Sequence, residues 1–191
     1  MDEKAVIERC QNGDVAAFEE LIAGYQKKVI NSAYAMLGNK EDAYDMAQEI
    51  FLKVFGNISK FNRQSSFSTW LYRVTRNMCL DEIRRRKRRD SRVVNITGEK
   101  DEEIYDLQIA DTAQGPEEIV EQDAVVRQVR GAIDELSEDY KTALILREIQ
   151  ELDYQQIADV LECSIGTVKS RISRGRKMLR EKLSECEELF T

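Results

Sequence analysis

Thr167, Ser170, Arg171 and Arg174 recur at i, i+3, i+4 and i+7, so on a helix they share one face, with Lys169 and Lys177 beside it. Guanidinium forks in that setting donate paired hydrogen bonds to the major-groove edge of guanine, a contact worth roughly 1–3 kcal/mol of base discrimination. A second cationic face comes from FSTWLYRVTRNMCLDEIRRRKRR, where Arg73, Arg76, Asn77, Leu80 and Arg84 align next to Phe67, Trp70 and Tyr72. Cations interleaved with aromatic rings suit single-stranded nucleic acid, whose unstacked bases lie on rings or enter pockets. Trp70 reads equally well as a core residue. A third set, Asp45, Gln48, Glu49 and Leu52, repeats the same spacing opposite an apolar stripe; by itself it is a solvated face or a partner surface.

Covalent chemistry finds little support. The chain has no histidine, which removes Ser-His-Asp and Cys-His arrangements and the HExxH zinc site. Neither GxxxxGK[ST] nor GxGxxG occurs. Cys10, Cys79, Cys163 and Cys186 are scattered without a CxxC pair, so they read as free thiols of a reducing compartment rather than metal ligands. No catalytic residue, metal or cofactor is expected.

Charge is distributed unevenly. Arg84–Arg92 holds seven cations against Asp90, and Lys169–Lys182 holds seven against Glu181. Between them, Glu99 to Asp123 carries ten carboxylates against Lys100, and the whole chain is at −7. Two cationic surfaces separated by an anionic strap suggest two contacts on one polyanion, with a basic partner for the strap. A chain made only to bind DNA would rarely be acidic overall.

The elements that must position these faces are helical. One proline and nine glycines in 191 residues, with no sustained period-two alternation, indicate an all-α fold. Asp14 can cap a helix running from Phe18 to Leu37 and closed by Gly38. Ala43, Met46, Ala47, Ile50, Phe51, Val54 and Phe55 form a wide apolar stripe on the next. Phe61–Phe67 reads as a polar loop, with Ser66 or Ser68 starting the following helix. Periodicity fades after Arg92, and 93–116 reads as a flexible acidic linker; helical pattern resumes at Glu117. The expected architecture is two small helical domains, 1–92 and 117–191. No apolar run approaches the roughly 18 to 20 residues needed to cross a bilayer, and MDEKAVIERC has no signal-peptide core, so a cytoplasmic protein is expected.

Within the second domain, Ser137 can cap a helix bearing Tyr140, Leu144 and Ile145. Asp153 caps a short helix with Ile157, Ala158 and Leu161 inward, and Cys163 and Ser164 fill a turn. A second helix then buries Ile165, Val168, Ile172 and Leu179. This is a helix-turn-helix pattern, whose second helix presents side chains to base edges. Glu162 stands near the turn where many such motifs carry glycine.

The strings GDVAAFEELIAGYQKKV, DAYDMAQEIFLKVF, FSTWLYRVTRNMCLDEIRRRKRR and LSEDYKTALILREIQELDYQQIADVLECSIGTVKSRISRGRKML together resemble the bacterial RNA polymerase sigma factors of the extracytoplasmic-function group, within the sigma-70 family. The resemblance covers nearly the whole chain. It implies that Asp45, Gln48, Glu49 and Leu52 dock on the clamp helices of core RNA polymerase, with the second domain near the flap. It implies that the Phe61–Phe67 loop, including Ser65 and Phe67, and Asn77 capture a base extruded from the −10 promoter element, with Trp70, Arg73 and Arg76 holding the opened strand. It implies further that Arg147, Thr167, Lys169, Ser170, Arg171 and Arg174 read the −35 element. Promoter DNA and an anti-sigma factor, membrane-anchored or not, are the other implied partners, and the free chain would be a monomer.

The resemblance places the two promoter elements ~17 bp apart, or ~58 Å at ~3.4 Å per step. Residues 93–116 can stretch to ~80 Å, while as a free coil they would average ~27 Å. The span is reachable only if a scaffold holds the domains apart. Two other classes remain: a dimeric regulator binding duplex DNA without polymerase, and a recombinase-like enzyme with its nucleophile among arginines. The first would need a dimerisation or ligand-sensing domain, and the N-terminal half offers aromatic-basic helices instead.

Overall fold

In a computed structural model of the chain, residues 3–97 and 128–188 are described, with side chains over 3–89 and 128–184. Every regular element among them is a helix, as the periodicity predicts. The first domain comprises α1 (Glu3–Gln11), α2 (Val15–Ala23), α3 (Gln26–Leu37), α4 (Lys40–Asn57), a 3-10 turn (Ile58–Lys60) and α5 (Phe67–Thr97).

Short polar caps set the starts of these helices. Asp14 Oδ1 accepts from the Ala17 N–H at 3.0 Å and Asn39 Oδ1 from the Asp42 N–H at 3.1 Å. Ser66 Oγ accepts from the Thr69 N–H at 3.1 Å and so starts α5. Each side chain satisfies a donor that the first helical turn leaves unpaired. Gly38 ends α3 with φ 91°, a left-handed conformation that glycine adopts without strain. Val29, Ala33, Ala43, Ile50, Val54, Leu71 and Cys79 are fully enclosed, so the apolar stripe of α4 faces the core as expected. Burial pushes the Cys79 thiol up to about 12, which keeps it protonated at neutral pH.

Three features depart from the sequence reading. The helix expected from Asp14 to Leu37 is broken at Gly24 and Tyr25, where the Tyr25 N–H bonds to the Ile22 carbonyl at 2.8 Å. Tyr25 turns there to pack its ring 5.5 Å from Phe67 and 6.4 Å from Tyr72, a distant contact that outweighs local continuity. An additional helix, α1, precedes Asp14 and buries Val6, Ile7 and Cys10. Finally, α5 continues to Thr97, five residues past Arg92 and into the expected linker. The rest of that linker, and the start of the helix expected from Glu117, lie outside the described residues.

The second domain begins within a helix over 128–134, here α6, followed by α7 (Glu138–Leu144), a π turn (Ile145–Ile149), α8 (Tyr154–Leu161) and α9 (Ile165–Glu188). Asp153 and Gln156 cap α8 reciprocally: Asp153 Oδ1 accepts from the Gln156 N–H at 2.8 Å, and Gln156 Oε1 from the Asp153 N–H at 2.9 Å. Ala143, Ile157, Val160, Val168 and Ile172 make the core. Gly175 lets α9 approach α7 closely, since a Cβ there would lie 3.0 Å from Leu144 Cδ1 and 3.3 Å from Tyr140 Cβ. Ile165, expected inside, is 37% exposed because it occupies the first turn of α9, beyond the edge of the α8 packing. The two domains touch: α8 lies against α5, and the π turn against α3.

Candidate nucleic-acid interface

The helix-turn-helix is formed by α8, a tight turn and α9. Glu162 takes φ 54°, ψ 45° at the end of α8, the left-handed position suited to glycine. Ser164 Oγ accepts from the Thr167 N–H at 3.1 Å and lies 2.9 Å from Thr167 Oγ1, which fixes the start of the second helix. Lys169, Ser170, Ser173 and Arg174 then project into solvent, with Thr167 half-buried.

Arg171 behaves differently from its expected companions. Its Nη2 meets Asp139 Oδ2 at 2.7 Å and its side chain is only 21% exposed, so here it is bound to α7 rather than presented outward. Arg147 lies in the π turn, where Nη1 donates to the Leu152 carbonyl at 2.7 Å. Its guanidinium sits 5.2 Å from the Tyr154 ring centre, and Lys169 Nζ approaches the same ring at 5.9 Å. Tyr154 thus gathers two cations from separate elements. The sequence reading passed over it, although an aromatic ring directly after the capping Asp153 was a visible signal. Next to this cluster Tyr154, Lys169, Ser173, Arg176, Lys177 and Arg180 line a cleft of about 340 Å³, of a size and charge to take phosphate oxygens.

In the first domain, the 61–67 loop is pinned at both ends. Phe61 and Phe67 are buried, their ring centres 6.0 Å apart, and Gln11 Nε2 donates to the Ile58 and Phe61 carbonyls at 3.1 and 2.8 Å. Asn62, Arg63 and Gln64 are consequently held out in solvent, and Ser65 is half-buried. Phe67, at 1% exposure, offers no ring face to a base; it supports the loop from beneath. Trp70 is half-buried, 5.1 Å from Phe61 and 5.9 Å from Phe67, so it is partly core and partly surface. Asn77 is exposed and its Oδ1 accepts from Arg76 Nη1 at 3.1 Å. Arg76 Nε and Arg73 Nε are buried without hydrogen-bond partners. Leu80, expected on the same face, is buried instead.

The third surface is the outer side of α4. Asp45, Gln48 and Glu49 are exposed, and Leu52 is 71% exposed, with Tyr44 beside them at 47%. Two large apolar side chains in water on the otherwise polar outer face of this helix suit a protein partner.

A helix-turn-helix with exposed cations on its second helix, in a chain with a further helical domain, defines a DNA-binding protein of the helix-turn-helix class. Residues 21–89 match the family model for sigma-70 region 2, and residues 127–179 that for sigma-70 region 4. The ECF RNA polymerase sigma factor SigW of Bacillus subtilis is 35% identical over 182 residues, covering 95% of this chain and 97% of that protein. The ECF RNA polymerase sigma-E factor of Haemophilus influenzae is 37% identical over 187 residues, with 96% of each chain covered. Among solved structures, the sigma factor RpoE from Bartonella quintana in complex with the anti-sigma factor NepR aligns with TM-score 0.67 at 23% identity, over 87% of this chain and 96% of that one. CnrH in complex with the cytosolic domain of CnrY aligns with TM-score 0.69 at 19% identity, over 96% and 97%. The chain belongs to the extracytoplasmic-function RNA polymerase sigma factors of the sigma-70 family. Its function is promoter-specific transcription initiation. No helix among the described residues is long and apolar enough to cross a membrane.

Proposed function

We propose that the three surfaces divide the work of initiation. The outer face of α4, with Asp45, Gln48, Glu49 and Leu52, binds the clamp helices of core RNA polymerase, and the second domain binds near the flap. Arg147, Thr167, Lys169, Ser170 and Arg174, with Tyr154 between two of the cations, read the −35 element as duplex. Arg171 supports that helix through Asp139. Ser65, Trp70, Arg73, Arg76 and Asn77 grip the opened −10 strand, over a loop propped by Phe67. Unstacking a base costs a few kcal/mol, which stacking and pocket contacts offset. The units are 1–92, whose last helix runs on to Thr97, and 117–191, and the acidic segment between them pairs with a basic channel of the polymerase. The chain makes and breaks no bond; polymerase does so. It works in the cytoplasm as a monomer until an anti-sigma factor or core enzyme binds it.

The observation that carries this reading is the exposure of Leu52 and Tyr44 among Asp45, Gln48 and Glu49, on a face that contributes nothing to the core. Replacing Gln48 and Glu49 by Ala lowers core-polymerase affinity in a fluorescence binding titration while leaving binding to a −35 duplex unchanged. Equal core affinity for both proteins removes this surface from the account. Tight sequence-specific duplex binding by a dimer without polymerase favours the regulator reading instead.

A further inference from the structure

The 61–67 loop is held by a helix that stands far from it in sequence. Gln11, the last residue of α1, carries two N–H bonds on its Nε2 and meets two main-chain acceptors, the carbonyls of Ile58 and Phe61, 47 and 50 residues on. A helical turn leaves such carbonyls unpaired at its C-terminal end. Here the Ile58 oxygen also accepts from the Phe61 N–H at 3.0 Å, so both of its lone pairs are used. The exit of the 3-10 turn is thereby fixed at two points, which sets the direction in which residues 62–65 leave it.

A second tie runs from the tip of the loop to the same helix. Arg63 Nη2 donates to Glu8 Oε1 at 2.9 Å and to the Lys4 carbonyl at 3.4 Å. Its φ of 59° is left-handed, a conformation that a residue with a Cβ seldom adopts. The result is a division within the loop. Lys60, Asn62, Gln64 and Ser65 line a cavity together with Trp70 and Arg73, and Arg63 is absent from that lining. α1 can bear the load, because Val6, Ile7 and Cys10 are buried and Glu3 Oε2 accepts from the Tyr25 hydroxyl at 3.1 Å. The Tyr25 ring in turn packs on Phe67, at the far end of the loop. This helix precedes residues 21–89, the part that matches sigma-70 region 2.

We propose that Gln11 is a positioning residue for base capture: with the Glu8–Arg63 tie, it preorganises the 61–67 loop so that Asn62, Gln64 and Ser65 are in place when a −10 base is extruded. The inference rests on the functional reading above and names what holds that site in shape. A loop ordered in advance loses little freedom when the base arrives, so more of the contact energy appears as affinity. Gln11 acts through the Ile58 and Phe61 carbonyls, without touching DNA.

The test reconstitutes holoenzyme from core polymerase and the full chain, as the parent, Gln11→Met or Gln11→Glu. Open complexes are measured on a promoter located by its RNA 5′ end, intact or with one abasic site at each −10 position of either strand in turn. Each protein is scored by its own ratio of intact to abasic promoter, so a partial loss of folded chain cancels. In the parent one position carries the largest abasic penalty. Gln11→Met, which keeps the side-chain length but has no donor, lowers opening of the intact promoter by roughly tenfold and shrinks the penalty at that position by a similar factor. Gln11→Glu, which sets a carboxylate against the two carbonyls, shrinks it further. Abasic penalties equal to the parent's in both variants overturn the inference and leave the base-capture reading standing. A parent with no abasic-sensitive −10 position overturns the base-capture reading and this inference with it.

Discussion

Arg171 and Asp139 form a 2.7 Å ion pair that ties the recognition helix α9 to α7. The consequence is that two arginines on one helix, Arg171 and Arg174, serve different ends. Arg171→Ala removes the pair and the packing of its stem, costing about 1 kcal/mol of folding stability. A urea midpoint that falls for Arg171→Ala is the check; an unchanged midpoint shows the pair to be idle.

Arg174 is exposed, so Arg174→Ala leaves the unfolding midpoint where it is. Binding of a −35 duplex weakens by about 1–3 kcal/mol, or roughly fivefold to 150-fold. Titration against the promoter duplex and a shuffled one separates the effect: loss on both equally makes Arg174 a phosphate contact.

Glu162 sits at φ 54° with its side chain largely in solvent. A residue with a Cβ pays about 1 kcal/mol for that conformation, and its exposed pair with Arg73 returns little. Glu162→Gly therefore raises the stability of the helix-turn-helix domain by about 0.5–1 kcal/mol. Thermal unfolding that shifts downward contradicts the strain assignment.

Gly175→Ala does the opposite. The new methyl gains about 1 kcal/mol of helix propensity, but the approach of Leu144 and Tyr140 imposes an overpacking cost of about 1–3 kcal/mol. The net is destabilising, whereas Gly131→Ala, with nothing near its would-be Cβ, is stabilising. Denaturant curves for the two variants should move in opposite directions.

Glu82 gives a pH signature. Burial pushes its carboxyl upward, but hydrogen bonds from Arg86 and Arg85 outweigh this and leave it below the ordinary carboxylate value. A depressed folded pKa contributes stability above the unfolded value of about 4.3, lost as pH falls through the folded one. Glu82→Gln should thus lower the unfolding free energy at pH 7 and converge with the parent in strong acid. A penalty independent of pH would assign the effect to packing.

Local patterns were readable where the cause is local. The stripe from Ala43 to Val54 and the cap at Asp153 need only helical periodicity and a short polar side chain, and both are where the sequence puts them. Tyr25 breaks its helix for rings more than forty residues away, and Arg171 finds its partner thirty-two residues back. No window of sequence holds those contacts. For the same reason Phe67 reads as a surface ring next to arginines until the Phe61 and Tyr25 rings are seen to enclose it. The docking of the two domains through Gln150 and Lys28 was likewise invisible, since the two residues stand 122 positions apart and nothing local to either pairs them.

The most direct test of the account adds the purified chain to core RNA polymerase on genomic DNA and sequences the RNA 5′ ends. The account predicts starts at a defined set of sites that share −35 and −10 elements and disappear when the chain is omitted. Starts identical with and without the chain would contradict it.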